Sequence, residues 1–228
     1  MKKLLMTVFI ITIAAGLYAQ NTFFPSKAGM VLTYANKDAK GKATSYTVIT
    51  VMNVQGSGRN MTITYMGETL DKNRKRSNPP NEIEYQVVVK DGVVILDMKS
   101  MFPGMKNDPT IQVEITGTAM EIPANLQPGQ TLKDADVTMS VDMIITKLTT
   151  VMKMTEGKDL AVEDVTVQGG AFKCHKISQK VTTTIMRKTT VTTTLSWYAL
   201  GIGTIKTESY DEKNKLIGSM ELIELKGN

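Results

Sequence analysis

One histidine, His175, and one cysteine, Cys174, stand side by side in the chain. Any nucleophilic mechanism that draws on imidazole or thiol must use them. A cysteine–histidine couple needs both side chains within hydrogen-bond reach. Neighbouring residues of a β-strand point to opposite faces, so Cys174 and His175 cannot activate one another. No G-x-S-x-G turn supplies a serine in place of the cysteine. Zinc asks for several nitrogen or sulfur ligands, and the chain offers one histidine and one cysteine. The segment DADVTMSVD lacks the spacing of a calcium loop. None of the 22 acidic residues is set apart by an apolar neighbourhood, as the acid of a glycosidase would be. The expectation is a protein that is not an enzyme and carries no metal or cofactor.

A second candidate for chemistry is the Gly201-Ile202-Gly203 step. A dinucleotide loop would place a third glycine where Lys206 stands and would open a helix. Instead TIKTESYDEKNKLIGSMELIEL alternates like two strands around a turn at Lys213-Asn214. Gly201 and Gly203 are therefore expected to form a structural bend or bulge, packed under Trp197 and Tyr198.

The elements that position these residues read as β-strands almost throughout. Met61, Ile63 and Tyr65 share one parity after the turn GSGRN, and Tyr46, Val48, Met52 and Val54 share one before it. Asp91-Gly92 stands where a two-residue hairpin turn requires positive φ. Val137, Met139, Val141, Met143 and Ile145 alternate with Thr138, Ser140, Asp142 and Thr146. The threonine-saturated run KISQKVTTTIMRKTTVTTTLSWYAL predicts a hairpin of long strands turning near Arg187 to Thr189, because β-branched residues fit a pleated, half-exposed surface. The segments MKSMFPGMKNDP and IPANLQPGQTLKDAD carry the proline and glycine of loops. MKMTEGKDLAVED could hold a short helical turn. The fold expected is all-β: a single domain over 20–228 of roughly ten long antiparallel strands, in a strongly curved open sheet or a barrel.

Residues 1–19 have the form of a secretory signal peptide, with two lysines, an apolar stretch from Leu4 to Leu17 and Ala19 before Gln20. That stretch is shorter than a membrane span and no similar one follows it, so no transmembrane segment is expected in the mature chain. No cysteine lies near the cleavage position to take a lipid, which predicts a periplasmic or secreted protein that is not a lipoprotein. Removal of Lys2 and Lys3 lowers the formal charge of +5. The one dense basic cluster, Lys72, Arg74, Lys75 and Arg76, is expected to be a solvated loop, and nucleic acid is not an expected partner. A lone cysteine allows no internal disulfide.

FFPSKAGMVLTYANKDAKGK near the start and WYALGIGTIKTESYDEKNKLIGSMELIEL at the end resemble the TapB-like group of exported Gram-negative proteins, related to periplasmic domains of unknown function. Pro25, Gly29 and Tyr34 match the first signature; Trp197, Tyr198, Ala199, Gly201, Ile202, Gly203, Ile205, Lys206 and Glu208 match the second. The resemblance implies an exported β-sheet domain, lipocalin-like or lipoprotein-carrier-like, and supplies no catalytic residues.

Methionine is abundant, with 16 in the chain, and it adapts to irregular apolar shapes. Met139, Met143 and Trp197 on strands, with Met101, Phe102 and Met105 in a Pro-Gly loop, are the expected contacts of a lipid or other hydrophobic small molecule. The competing expectation is an envelope structural or protein-interaction module that acts through the Met/Phe loop or a sheet edge. The interior discriminates between them. A filled core favours the module, and an open groove of several hundred Å³ favours the carrier.

Overall fold

In the computed structural model, which describes residues 22–96, 112–118, 121–143 and 146–227, the chain is all-β with no helix among the described residues. Thirteen strands form one antiparallel sheet: β1 Val31–Asp38, β2 Ala43–Ser57, β3 Asn60–Asp71, β4 Glu82–Lys90, β5 Val93–Leu96, β6 Gln112–Gly117, β7 Glu121–Pro123, β8 Ala135–Met143, β9 Thr146–Val167, β10 Gly170–Ile185, β11 Lys188–Ala199, β12 Gly203–Tyr210 and β13 Leu216–Lys226. Their order across the sheet is β6-β8-β9-β10-β11-β12-β13-β1-β2-β3-β4-β5-β7. The first and last strands meet in the middle, with Val31 opposite Lys226.

The two rims are β6 and β7, which are neighbours in the chain. Gly117 ends one and Glu121 begins the other. Four residue steps of extended chain reach about 14 Å, so the sheet curls until its rims nearly meet. No ladder joins β6 to β7 among the described residues, which makes this a curved open sheet and not a closed barrel.

Alternation decides which face turns inward. Directly paired residues share a face, and the ladder Val54–Ile63–Val87 continues through Met61–Val89–Val94 to Ile122. Of these residues, Ile63, Val87, Val89, Val94 and Ile122 are fully or almost fully buried. The interior they face is filled by two segments outside the ladder. Phe23, ahead of β1, is fully buried and packs with Leu126, Leu132, Ile122 and Ile177. The Tyr65 hydroxyl donates to the Pro25 carbonyl at 2.6 Å, and the Gly201 amide donates to the Thr22 carbonyl at 2.7 Å. The N-terminal segment is thus stitched to β3 and to the turn between β11 and β12.

Three of the sequence expectations shift, two of them at bulges. In β2 the register slips between Val51 and Asn53, leaving Met52 unpaired and half exposed. Val51 and Ile49 face the core before the slip and Val54 after it, replacing the set Tyr46, Val48, Met52 and Val54. The expected helical turn in MKMTEGKDLAVED is strand β9, bent where Glu156 and Gly157 oppose Gln179, and again at Leu160. An extra residue bends a strand without breaking its ladder. The long hairpin turns at Met186-Arg187, both at positive φ, slightly before the expected position. The turns at Asp91-Gly92 and Asn214 have the positive φ that their residues predict. The described residues hold thirteen strands where about ten were expected, because several near the rims are short.

Candidate functional site

The single histidine sits at the most developed site of the described surface. His175 Nδ1 lies 2.6 Å from Oδ2 of Asp159. A carboxylate accepts only, so Nδ1 carries the proton and Nε2 is the ring's remaining polar atom. The Asp159 side chain is fully buried and that of His175 is 17% exposed. Phe23 meets the imidazole edge-on at 5.1 Å. The second oxygen of Asp159 has no hydrogen-bond partner among the described residues.

Asp159 reaches this position through the bulge at Leu160. Val162 pairs with His175 and Asp159 with Ile177, so the extra residue turns Asp159 to the histidine's face. Its backbone also pins the neighbouring loop, since Gly129 donates to the Asp159 carbonyl and the Asp159 amide donates to Gln130. Leu132 bonds to the Gly157 carbonyl, and a Cβ on Gly157 would stand 2.9 Å from that of Leu132. One bent stretch of β9 therefore fixes both the carboxylate and the loop.

Together these parts border a groove of about 660 Å³. Leu126, Gln127 and Pro128 form the loop wall. Ala199, Leu200 and Ile202 come from the glycine turn, and Phe172, Lys173 and His175 rise from β10. Most of the lining is apolar, with a few polar groups, as in small-molecule sites. No serine, threonine or cysteine lines it among the described residues. Cys174 is fully buried on the opposite side of β10, and burial, helped by Glu163 and Asp164, pushes its thiol up to about 12. A thiol so raised is a poor nucleophile. Iodoacetamide near neutral pH should leave the folded protein unlabelled while the denatured chain labels fully; rapid labelling of the folded form would show an accessible Cys174.

Of the residues expected from sequence to hold a ligand, Met139 and Trp197 can be compared, and they lie on strands that are not neighbours. Met139 lies on β8 and Trp197 on β11, with β9 and β10 between them. Met143 ends β8, and Met101, Phe102 and Met105 fall outside the described residues. Trp197 is buried. Its indole N–H donates to Glu163 at 2.5 Å, and Lys176 and Lys206 flank its ring at 5.0 and 5.1 Å. Charged stems thus cover a ring that was expected to face an apolar hollow. Gly201 and Gly203 do form a bend, with φ of 75° and 93°. The segment packed on Gly203 is Phe23–Pro25, however, and not Trp197 with Tyr198. In the basic cluster, Arg76 grips Glu68 through two nitrogens and Arg74 lies over the Tyr46 ring.

Sequence reasoning missed Asp159 because strand parity assigns it away from His175. Gly157 inside a long strand was the available signal, since an interior glycine marks a bulge or a close approach. No group of three or more histidine, cysteine, aspartate or glutamate side chains gathers as a metal site among the described residues. Among the described residues there is no helix long and apolar enough to cross a membrane.

A family model described as DUF3108-like matches residues 27–222. Among solved structures, one described as an exported protein with a YmcC-like fold, from Bacteroides fragilis, aligns with a TM-score of 0.71 at 21% identity, covering 90% of this chain and 99% of the other. One described as a lipoprotein, from Parabacteroides distasonis, aligns with a TM-score of 0.71 at 22% identity, covering 90% and 98%. These likenesses are of fold. No curated protein matches. The family match supports an exported-protein family of this fold but neither the narrower TapB-like grouping nor its terminal signature.

Proposed function

The chain belongs to the DUF3108-like family, and from that premise we propose that it is an exported, non-enzymatic envelope protein that binds a hydrophobic small molecule in the groove beside His175. The observation that carries this is the groove itself, about 660 Å³ and walled mainly by Leu126, Pro128, Phe172, Ala199 and Ile202. That volume falls within the roughly 300–1,000 Å³ of small-molecule sites. Export, to the periplasm or beyond, is supported by the lysine-flanked apolar leader. The non-enzymatic part is supported by a lining in which His175 has no hydroxyl or thiol to activate.

The interior behind the groove is filled by Phe23 and Leu126, so the site proposed is a surface groove and not the methionine-lined hollow. Displacement of the neutral dye N-phenyl-1-naphthylamine tests it. Saturable dye binding that long-chain amphiphiles displace, and that Leu200→Glu weakens at least severalfold, is expected; Leu200 is half exposed on the wall. Failure of the dye and of every amphiphile to bind would overturn the carrier in favour of an interaction module.

A further inference from the structure

We propose that the groove selects amphiphiles with an acidic headgroup, a carboxylate or a phosphate monoester, held by Lys173 and by Nε2 of His175. This rests on the groove-binding function above and names the chemistry of its ligand. Lys173 and His175 are two residues apart on β10, so both project from one face about 6.6 Å apart. Both line the groove. Lys173 is exposed and has no ion-pair partner among the described residues. On the opposite face of the sheet, by contrast, lysines are engaged: Lys176 with Glu163, Lys180 with Glu156 and Lys206 with Glu208.

The imidazole supplies the second contact. Asp159 fixes Nδ1–H, so the ring's free polar atom, Nε2, is left for the groove. An acid that docks there passes its proton to Nε2; an anion binds when Nε2 already carries one. In both cases an imidazolium ends between two anions, the Asp159 carboxylate behind it and the ligand's carboxylate or phosphate in front. The buried Asp159, with one oxygen unpartnered, is then faced by a full positive charge, which is the compensation a buried carboxylate needs. An alcohol can donate one hydrogen bond to Nε2 but offers nothing for the Lys173 ammonium. The apolar tail lies along Phe172 and the Leu126 and Ile202 walls. Asp159 acts here as a positioning residue, because it touches the histidine and not the ligand.

Charge-assisted hydrogen bonds contribute about 1.5–3 kcal/mol, which corresponds to roughly tenfold or more in affinity. Calorimetric titration with tetradecanoate, tetradecyl phosphate and tetradecanol, matched in chain length, should therefore show the two acids binding at least about tenfold more tightly than the alcohol. Lys173→Met and His175→Gln should each shrink that ratio while tetradecanol still binds. Asp159→Asn should shrink it as well, with the fold checked by circular dichroism. Because the chain has one histidine, its ring resonances are unambiguous and should shift on adding tetradecanoate. Equal affinity for all three ligands, or a ratio untouched by the substitutions, overturns acid selection while leaving groove binding intact. Binding of none of the three removes the groove function itself. Competition by acetate or inorganic phosphate as strong as that of the long chains also overturns the proposal, since it marks a simple anion site.

Discussion

Phe23→Ala should lower the unfolding free energy by about 3–5 kcal/mol, the range for truncating a buried aromatic. A residue ahead of the first strand would ordinarily be tolerant, because terminal segments lie loosely on the surface. Here Phe23 is fully buried among Ile122, Leu126, Leu132 and Ile177, which come from three separate parts of the chain. It also meets His175 and Tyr198 edge-on. Its removal leaves a cavity between the loop wall and β10 that neither can collapse to fill, since the loop is pinned to β9 by backbone hydrogen bonds. Urea unfolding of wild type and variant at matched slope measures the loss. A change below about 1 kcal/mol, the size expected for a site that relaxes freely, would show that Phe23 does not fill the interior. Ile83→Ala, at a partly exposed position, is the control and should cost little.

Gly203→Val should cost about 2–4 kcal/mol, from two sources that can be separated. With φ at 93° the backbone is in a region that side chains rarely adopt, a strain of about 1–3 kcal/mol. A Cβ would also stand 3.1 Å from Cδ of Pro25 and 3.3 Å from the Phe23 carbonyl oxygen. The valine methyl groups add overpacking to a segment held by the Gly201–Thr22 and Tyr65–Pro25 hydrogen bonds. Gly29 provides the comparison: its φ is 86° and nothing lies within 4 Å of an added Cβ. Gly29→Ala should therefore show the backbone term alone. If Gly203→Val costs no more than Gly29→Ala, the N-terminal segment does not press on the bend.

What was legible in the sequence was what neighbours in the chain decide. Met61, Ile63 and Tyr65 alternate and are all buried. Asp91-Gly92 and Asn214 have the chemistry of tight turns, and the turns occur there. Alternation carries no information across a bulge, so the inward positions of β2 were misassigned at Met52. The same blindness hid the His175–Asp159 pair, which exists because Leu160 is an extra residue. The groove was illegible for a different reason. Its walls come from a loop, a turn and a strand, joined by backbone hydrogen bonds that any residue types could make. The surroundings of Trp197 were illegible too, because the lysines and glutamate around it come from strands whose register no local pattern specifies.

The approach of the two rims has a mechanical consequence. A closed barrel keeps its girth by hydrogen bonds along a seam, and it can lose that seam one bond at a time. In this protein the hoop is fastened by covalent chain, because the rim strands β6 and β7 follow one another directly, with only residues 118–120 between Gly117 and Glu121. However far the ladders flex, the ends of the band stay within the reach of that strap, about 14 Å. The circumference is therefore capped by chain length, and lengthening the strap by a few glycine and serine residues would raise the cap without touching a single strand pair.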